Sequence, residues 1–411
     1  MTSRAMESVM TDISATGADP YRDAWDDHTK ALAEIRQQWF ASGWAKTPEE
    51  RDQAMFHVMG IEHTGFNVFV APRQDYPFFS KTHAFHHPIS FTWGLCCPDF
   101  HYQFAFLDGA RTYRIKGKRG TKRWSEIHVQ NEFWGDPKFR QVTILDLDNV
   151  EMDADGNFEI IVSPDRHDGN WIQTQRDENQ LLFVMRDAMY DWSNDVPAQV
   201  HVELAEGRKQ PLKRISDRDL PTRIGKLTNF LRASATHWIG RNDEIVRDVG
   251  VNTFWMGKEQ NLGGIQHAVY HFMVFDIAAD EALVIEADVP AQSKFWAVQL
   301  ANLCYDTVDY LNNQSSLNGF QTKVDPDGKA RFVLTRDDPG VANWLDTVGN
   351  LRGVAAWRWV YCDKVTVPSV TKVKVAELDR RLHPQTARVS PEERQAIVTA
   401  RGEGVRRMYG I

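Results

Sequence analysis

The feature that most constrains the fold of this chain is that it repeats itself. Residues 101–108, "HYQFAFLD", lie over residues 269–276, "VYHFMVFD", at an offset of 168, so that Tyr102, Phe104 and Asp108 fall on Tyr270, Phe272 and Asp276. "KRW" at 122–124 meets "KFW" at 294–296 and "DADG" at 153–156 meets "DPDG" at 325–328, both at an offset of 172. "NWI" at 170–172 meets "NWL" at 343–345 at 173, and Arg186 meets Arg358 at 172. Landmarks that keep their order and spacing imply two units of similar build, each one supersecondary pattern written twice.

The grammar inside each copy is β. In "HYQFAFLDGARTYRIKGKRGTKRWSEIHVQ" an Asp-Gly turn and a Gly-bounded turn separate three alternating runs, an antiparallel meander. The DxDG stretches read as turns, since glycine supplies the positive φ a tight turn needs, and they lack the remaining ligands of a calcium loop. Around these copies the pattern is helical. Trp25, Leu32, Ile35 and Phe40 recur at helical spacing, with Gly43 ending that helix. Thr47, Pro48 and Glu50 spell a capping box with proline at N1, and Ser390-Pro391 opens a closing helix. The expected class is therefore mainly β: two β-sandwich-like domains related by internal duplication, with N-terminal, connecting and C-terminal helices. The expected boundaries are 1–63 (a disordered start and helices), 64–206 (first β-domain), 207–262 (helical connection), 263–370 (second β-domain) and 371–411 (tail and helix).

Composition removes several functions. Forty-eight basic against 56 acidic residues give a net charge of −8, which argues against a nucleic-acid binder. The four cysteines include no CxxC, which excludes a zinc ribbon or thioredoxin motif, and so few in this length suggest a reducing compartment. With no apolar run of about 20 residues, no membrane span is expected, and with no signal-like start the expected location is cytoplasmic. No P-loop, no GxGxxG after a strand, no GxSxG and no HExxH occur. A nucleotide-dependent dehydrogenase, a kinase or an ordinary α/β-hydrolase is disfavoured, and no cofactor is expected. Fourteen tryptophans are many, and large aromatics line sites for apolar ligands as well as cores.

The stretches "ALVIEADVPAQSKFWAVQLAN", "RDDPGVANWLDTVGNLRGVAAWRW" and "VSPEERQAIVTARGEGVRRMYG" resemble the bacterial family called domain of unknown function twelve-fourteen. "LDGARTYRIKGKRGT" and "GNWIQTQRDENQLLFVMRDAMYDW" resemble the segment preceding that domain. The resemblance implies β-sandwich-like architecture and no established reaction. Its members' occurrence in bacteria that degrade terpenoids, steroids and other apolar carbon sources implies an apolar substrate. One departure stands out: "CCPD", Cys96 to Asp99, where similar proteins tend to read "NPD".

Four constellations could carry chemistry. His83, His86 and His87 cluster without a nearby acidic partner, so hydrogen-bonded or surface histidines are favoured over a metal set and no metal is expected. On strand alternation Phe100, Tyr102, Phe104 and Phe106 share one face, read as core, while Asp99, His101, Gln103, Ala105 and Leu107 share the other. The repeat places His267, His271, Met273 and Phe275 on the matching second face. Such mixed faces read as a pocket lining or as a domain interface with satisfied polar groups. Residues 302–321 bring Tyr305, Asp306, Asp309 and Tyr310 into a loop-rich stretch, which reads either as ligand-contacting or as a capped connection. The recurring Asn-Trp pair reads as structural, and an inward Arg186 or Arg358 needs an acidic partner or a carboxylate ligand.

Two functions are carried forward. The first is a cofactor-independent acid–base enzyme (lyase or hydratase, isomerase or hydrolase) acting on a small apolar molecule such as a terpenoid, steroid or aromatic. Asp99, His101, His267 and Tyr305 would be catalytic, with Gln103, His271, Asp306, Asp309, Tyr310, Trp296 and Arg358 contacting substrate. The second is a non-catalytic β-sandwich binding or assembly protein, with a homo-oligomer possible in either case. A thiol enzyme using Cys96 or Cys97 is weaker, because the repeat sets Cys96 on Gly264 and Cys97 on Ile265 and makes both thiols small strand-entry residues.

Overall fold

The computed structural model describes residues 19–82, 93–207, 214–215, 218–257, 264–265 and 267–410. Two helices come first, α1 (Pro20–Ala41) and α2 (Pro48–Gly65), the second running into a π-helical turn at Phe66–Val70. The strands of the first half are β1 (Ser80–Thr82), β2 (Phe100–Leu107), β3 (Tyr113–Lys118), β4 (Trp124–Asn131), β5 (Arg140–Asp146), β6 (Asn157–Ser163), β7 (Trp171–Gln173), β8 (Leu181–Ala188) and β9 (Gln199–Leu204). A long helix, α3 (Leu220–Val249), separates them from β10 (Trp255–Met256), β11 (Ala268–Asp276), β12 (Glu281–Asp288), β13 (Phe295–Ala301), β14 (Ser316–Asn318), β15 (Lys329–Thr335), β16 (Trp344–Asp346), β17 (Arg352–Val360) and β18 (Ser369–Lys374). A short helix α4 (Leu378–Arg381) and the closing helix α5 (Pro391–Tyr409) follow. Strand pairing thus begins at β10, inside the stretch read as the helical connection, and β18 runs past residue 370.

The duplication is complete at the level of topology. The first half holds sheets ordered β1-β2-β8-β4-β5 and β7-β6-β3-β9, and adding nine to each label gives the two sheets of the second half. Register repeats too: Tyr102 lies opposite Arg186, as Tyr270 lies opposite Arg358. The DxDG turns match, Gly156 and Gly328 taking φ of 77° and 80° and donating to the carbonyls of Asp153 and Asp325. Asn170 donates to the carbonyls of Glu151 and Glu159, and Asn343 to those of Lys323 and Arg331. The adjoining Trp171 and Trp344 indoles donate to Ser163 and Thr335 carbonyls at 3.1 and 2.9 Å. The Asn-Trp motif is a strand-end clamp, used identically twice.

Burial shows how the layers stack. Every residue of β13 is buried, and β4 and β17 are buried almost throughout, whereas β18 has no buried residue and β6 alternates over most of its length. The central strands of the five-stranded sheets are therefore covered on both faces, whereas β6 and β18 are covered on one at most; in the second half Val341, Leu378 and Leu382 also cover the outer face of β12 and β15. Inner faces form the two sandwich cores, one around Ile115, Val129, Ile160 and Phe183, the other around Ile285, Val298, Phe332 and Trp357. The outer faces of the five-stranded sheets turn toward each other. Phe100 meets Phe295 at 4.9 Å between ring centroids, within a seam that includes Trp124, Ala188, Ile265 and Val360.

Helix α3 closes one side of that seam. Its buried residues Leu227, Thr228, Phe230, Leu231, Ser234, Ala235, Trp238, Arg241, Asn242 and Ile245 follow a 3.6-residue period. In α1 the buried stripe is His28, Ala31, Ile35 and Trp39, so Trp25 falls off it and is exposed. The capping boxes at Thr47/Glu50 and Ser390/Glu393 both form.

Helix α5 seals another side. Arg401 donates to Ser316 at 2.9 Å, and the Tyr409 hydroxyl donates to the Phe100 carbonyl at 3.0 Å, joining the C-terminus to both halves. Gly404 permits this approach, since a Cβ there would stand 2.7 Å from the Trp192 carbonyl oxygen. Gly404→Ala gains helix propensity of about 1 kcal/mol but forces backbone apart at a cost of about 1–3 kcal/mol. A net fall in the denaturant midpoint is expected, against the rise expected of an exposed helical glycine.

Candidate functional site

Between the facing five-stranded sheets, under α3, lies a cavity of about 490 Å³. Its walls are the outer faces of β2 and β8 (Phe100, Tyr102, Phe104, Val184, Arg186) and of β11 and β17 (Tyr270, Phe272, Arg358). Trp93, Phe133, Trp134 and, from α3, His237, Trp238 and Arg241 complete it. The Trp93 ring touches those of Phe133, Trp134 and Trp238 at 5.2, 5.0 and 5.9 Å, so one end is an aromatic basket.

The face read from sequence as core is therefore the cavity wall, and the face read as pocket is sandwich interior. Alternation separated the faces correctly. It did not reveal that the aromatic face meets its own copy across a gap. Val184 and Phe272, neighbours of the tyrosines and arginines on the two sheets, belong to one shared apolar cluster with α3.

Of the residues given catalytic or substrate-contacting roles from the sequence, Arg358 lines the cavity and the others lie elsewhere; Cys96 and Arg186 border it as well. Asp99 is fully buried and accepts from the Trp192 indole at 2.9 Å and the Asn318 amide at 2.6 Å. Burial pushes its carboxyl up, opposed by Asn318, Arg401 and Trp192. His101 is inside the first sandwich, 3.8 Å from Asp187 and against the Tyr409 ring. His267, matched to Asp99 by the repeat, is exposed and packs on Tyr361 at 4.5 Å. No acid–base pair forms between them. Gln103 donates to the Ala198 carbonyl at 2.9 Å. His271 occupies the equivalent buried place in the second sandwich, and desolvation pulls its imidazole down to about 4.

The residues of the 302–321 stretch are structural in their contacts. Asp306 pairs with His57 of α2 at 2.9 Å, and Asp309 caps a turn through Leu311 and Asn312. Tyr310 is buried with Trp192 and Met408, and Trp296 stacks on Trp357 in the second sandwich core. Tyr305 lies just behind the cavity. It stacks on Trp238 at 4.4 Å, takes a left-handed φ of 65°, and accepts from the Leu95 N–H at 3.0 Å. His83, His86 and His87 lie outside the described residues. Among the described residues no three His, Cys, Asp or Glu side chains group as a metal set, and no helix is long and apolar enough to cross a membrane.

The two tyrosines of the cavity wall obey the pseudo-symmetry. The Tyr102 hydroxyl accepts from the Cys97 N–H at 3.0 Å, and the Tyr270 hydroxyl accepts from the Ile265 N–H at 3.2 Å. The Tyr102 phenol keeps its own proton to donate, since burial pushes it well above the ordinary phenol value. Arg358 is 4% exposed and donates to Gln299 and, at 2.6 Å, to the Leu95 carbonyl, while its guanidinium lies 5.6 Å over the Tyr270 ring. Leu95 holds that carbonyl in place from its own left-handed φ of 59°.

His237 is the cavity's titratable imidazole. Its ring meets Trp134 and Trp238 edge-on, at 5.0 and 4.5 Å. Burial first, then Arg241, pulls it down to about 4, so it stands neutral at physiological pH. The thiols are the opposite case. Desolvation pushes Cys96 and Cys362 up to about 11, Cys97 higher still, and Cys304 well above its ordinary value, so none is a thiolate near neutral pH.

One family's sequence profile, described as "Protein of unknown function (DUF1214)", matches residues 103–190 and again 276–360. Each half of the chain is similar to this family's model over those residues. The two DUF1214 matches fall one on each half, so the profile describes the duplicated unit, and the cavity lies between its two copies. Among solved structures the chain is similar to an uncharacterised protein from Burkholderia cenocepacia, 27% identical, covering 86% of this chain and 97% of that one with a TM-score of 0.78. The VPA0106 protein from Vibrio parahaemolyticus is 12% identical, covering 84% and 99% with a TM-score of 0.45. No curated protein matches the chain.

The cavity residues that sequence reading passed over are Trp93, Trp238, His237, Tyr102 and Tyr270. A signal did exist. Tyr102 and Tyr270 recur in the repeat together with Arg186 and Arg358, and a core face has no use for a conserved Tyr–Arg register in both copies.

Proposed function

We propose that this protein captures one small, largely apolar molecule in the cavity between its two halves. The observation that carries the reading is the basket of Trp93, Phe133, Trp134 and Trp238 closing over sheets that present Phe104 and Phe272. A concave, aromatic space of this volume suits a fused-ring or branched hydrocarbon skeleton, of the size of a terpenoid or a small aromatic. Sandwich cores supply rigid walls, so the site needs no folding on binding and loses little affinity to ordering.

A second reading, proton-transfer catalysis at the same place, is favoured by one observation: His237 lines the cavity as a neutral imidazole with no hydrogen-bond partner among the described residues. A base held neutral beside an apolar ligand could take a proton from it. The roles first assigned to Asp99, His101 and His267 pass to His237 under this reading, because those three side chains do not reach the cavity.

The test is calorimetric titration with compact apolar probes (adamantane, naphthalene and dodecyl derivatives), followed by product analysis of the mixtures. One-to-one binding in the micromolar range is expected. Absence of binding across the whole set would refute capture. Turnover that disappears in His237→Asn while binding persists would select the catalytic reading.

A further inference from the structure

We infer that the molecule held in this cavity carries a carboxylate, received by Arg358 with the phenolic hydroxyls of Tyr102 and Tyr270 as additional donors. The inference rests on the reading that the cavity is a ligand site and adds the class of ligand.

Arg358 is a guanidinium nine-tenths buried beside an apolar space, and among the described residues no carboxylate lies within ion-pairing distance of it. Its recorded partners, the Gln299 side-chain oxygen and the Leu95 carbonyl, are both neutral. Asp99 acts on it only at longer range and is committed to Trp192 and Asn318. A buried charge without a counter-ion is costly, and the arrangement becomes favourable when an anion arrives. The surroundings are donors as well. The Tyr102 and Tyr270 hydroxyls already accept from backbone N–H groups and have O–H protons to give. Arg186, the copy of Arg358 in the first half, lines the same cavity, and both arginines act electrostatically on Tyr102.

The rest of the wall decides between anions. A dianion such as a phosphate monoester would have to desolvate two charges among Trp93, Phe104 and Trp238. A planar monoanion matches the fork of one guanidinium and leaves the hydrocarbon part to the aromatic basket. The ligand class is therefore an apolar monocarboxylic acid: a terpenoid, alicyclic or aromatic acid.

The experiment uses matched pairs at pH 8: adamantane-1-carboxylate against adamantane-1-methanol, and naphthalene-2-acetate against 2-naphthaleneethanol. Each pair is titrated calorimetrically into the full chain, wild type and Arg358→Met. In the wild type each acid is expected to bind at least about tenfold tighter than its alcohol, the size of one charge-assisted hydrogen bond. In Arg358→Met that preference is expected to vanish, with the alcohols unchanged within about twofold. Should Arg358→Met fail to fold, Tyr270→Phe replaces it, with a partial loss of preference expected. Equal binding of acid and alcohol in the wild type would overturn the carboxylate inference while leaving apolar capture standing. Binding of neither member of either pair would overturn both.

Discussion

Asp187→Ala is expected to destabilise the protein by about 3–5 kcal/mol, the cost of leaving one charge of a buried pair uncompensated. Asp187 sits inside the first sandwich with no exposed surface. It accepts from Ser125 and from the Ala198 N–H at 2.8 Å, and stands 3.5 Å from the Lys122 ammonium and 3.8 Å from His101. Burial alone would raise its carboxyl, but Lys122, His101 and Ser125 together hold it below the ordinary carboxylate value. Lys122, itself 1% exposed, is pulled down by burial and supported by Asp187. Removing the acid therefore strands a lysine in a β-sandwich core. Guanidinium unfolding should show the loss at pH 7. The double change Asp187→Leu with Lys122→Met should recover most of it, because two apolar groups of similar size replace two charges. If Asp187→Ala were to cost under about 1 kcal/mol, the pair would not be a structural ion pair. The sign with pH follows. A carboxyl lowered on folding contributes stability above its unfolded value near 3.9 and loses it as pH falls through the folded value, so the wild type should lose this contribution only in strong acid.

Val184→Trp should abolish ligand capture while leaving the fold in place. Val184 is buried on β8, on the same face as Arg186, and lines the cavity. An indole there, beside its cross-strand neighbour Phe104, occupies the space a ligand needs. Overpacking costs about 1–3 kcal/mol, which a chain of this size tolerates. Affinity for the compact apolar probes should fall at least about a hundredfold, equivalent to about 2.7 kcal/mol. Unchanged affinity in a folded Val184→Trp protein would place the binding site elsewhere.

The fold was largely legible because duplication is a long-range signal. Tyr102/Tyr270, the two DxDG turns, the two Asn-Trp clamps and Arg186/Arg358 fix equivalent points of two sandwiches, and the tyrosines, turns and clamps make matching hydrogen bonds in both. The helix boundaries were legible through caps: Thr47 with Glu50, and Ser390 with Glu393. The site was legible only in part. Alternation along β2 correctly split Tyr102 and Phe104 from His101 and Gln103, but period-two patterning says nothing about what covers each face. Polar residues suggested a pocket, yet His101, Gln103 and His271 are enclosed within their own sandwiches. Aromatic residues suggested a core, yet Tyr102 and Tyr270 border a gap, because the outer faces of two copies and a helix 30 residues long meet there. His237 and Trp238 could not be placed from sequence, since their role depends on where α3 crosses the seam.

The most direct test of this account is a crystal structure of the full chain soaked with adamantane-1-carboxylate. Density for the cage is expected between the Phe104 and Phe272 walls, under Trp238, with the carboxylate within hydrogen-bond distance of the Arg358 guanidinium. A cavity holding only ordered water, with the acid bound at the protein's exterior or not at all, would contradict this.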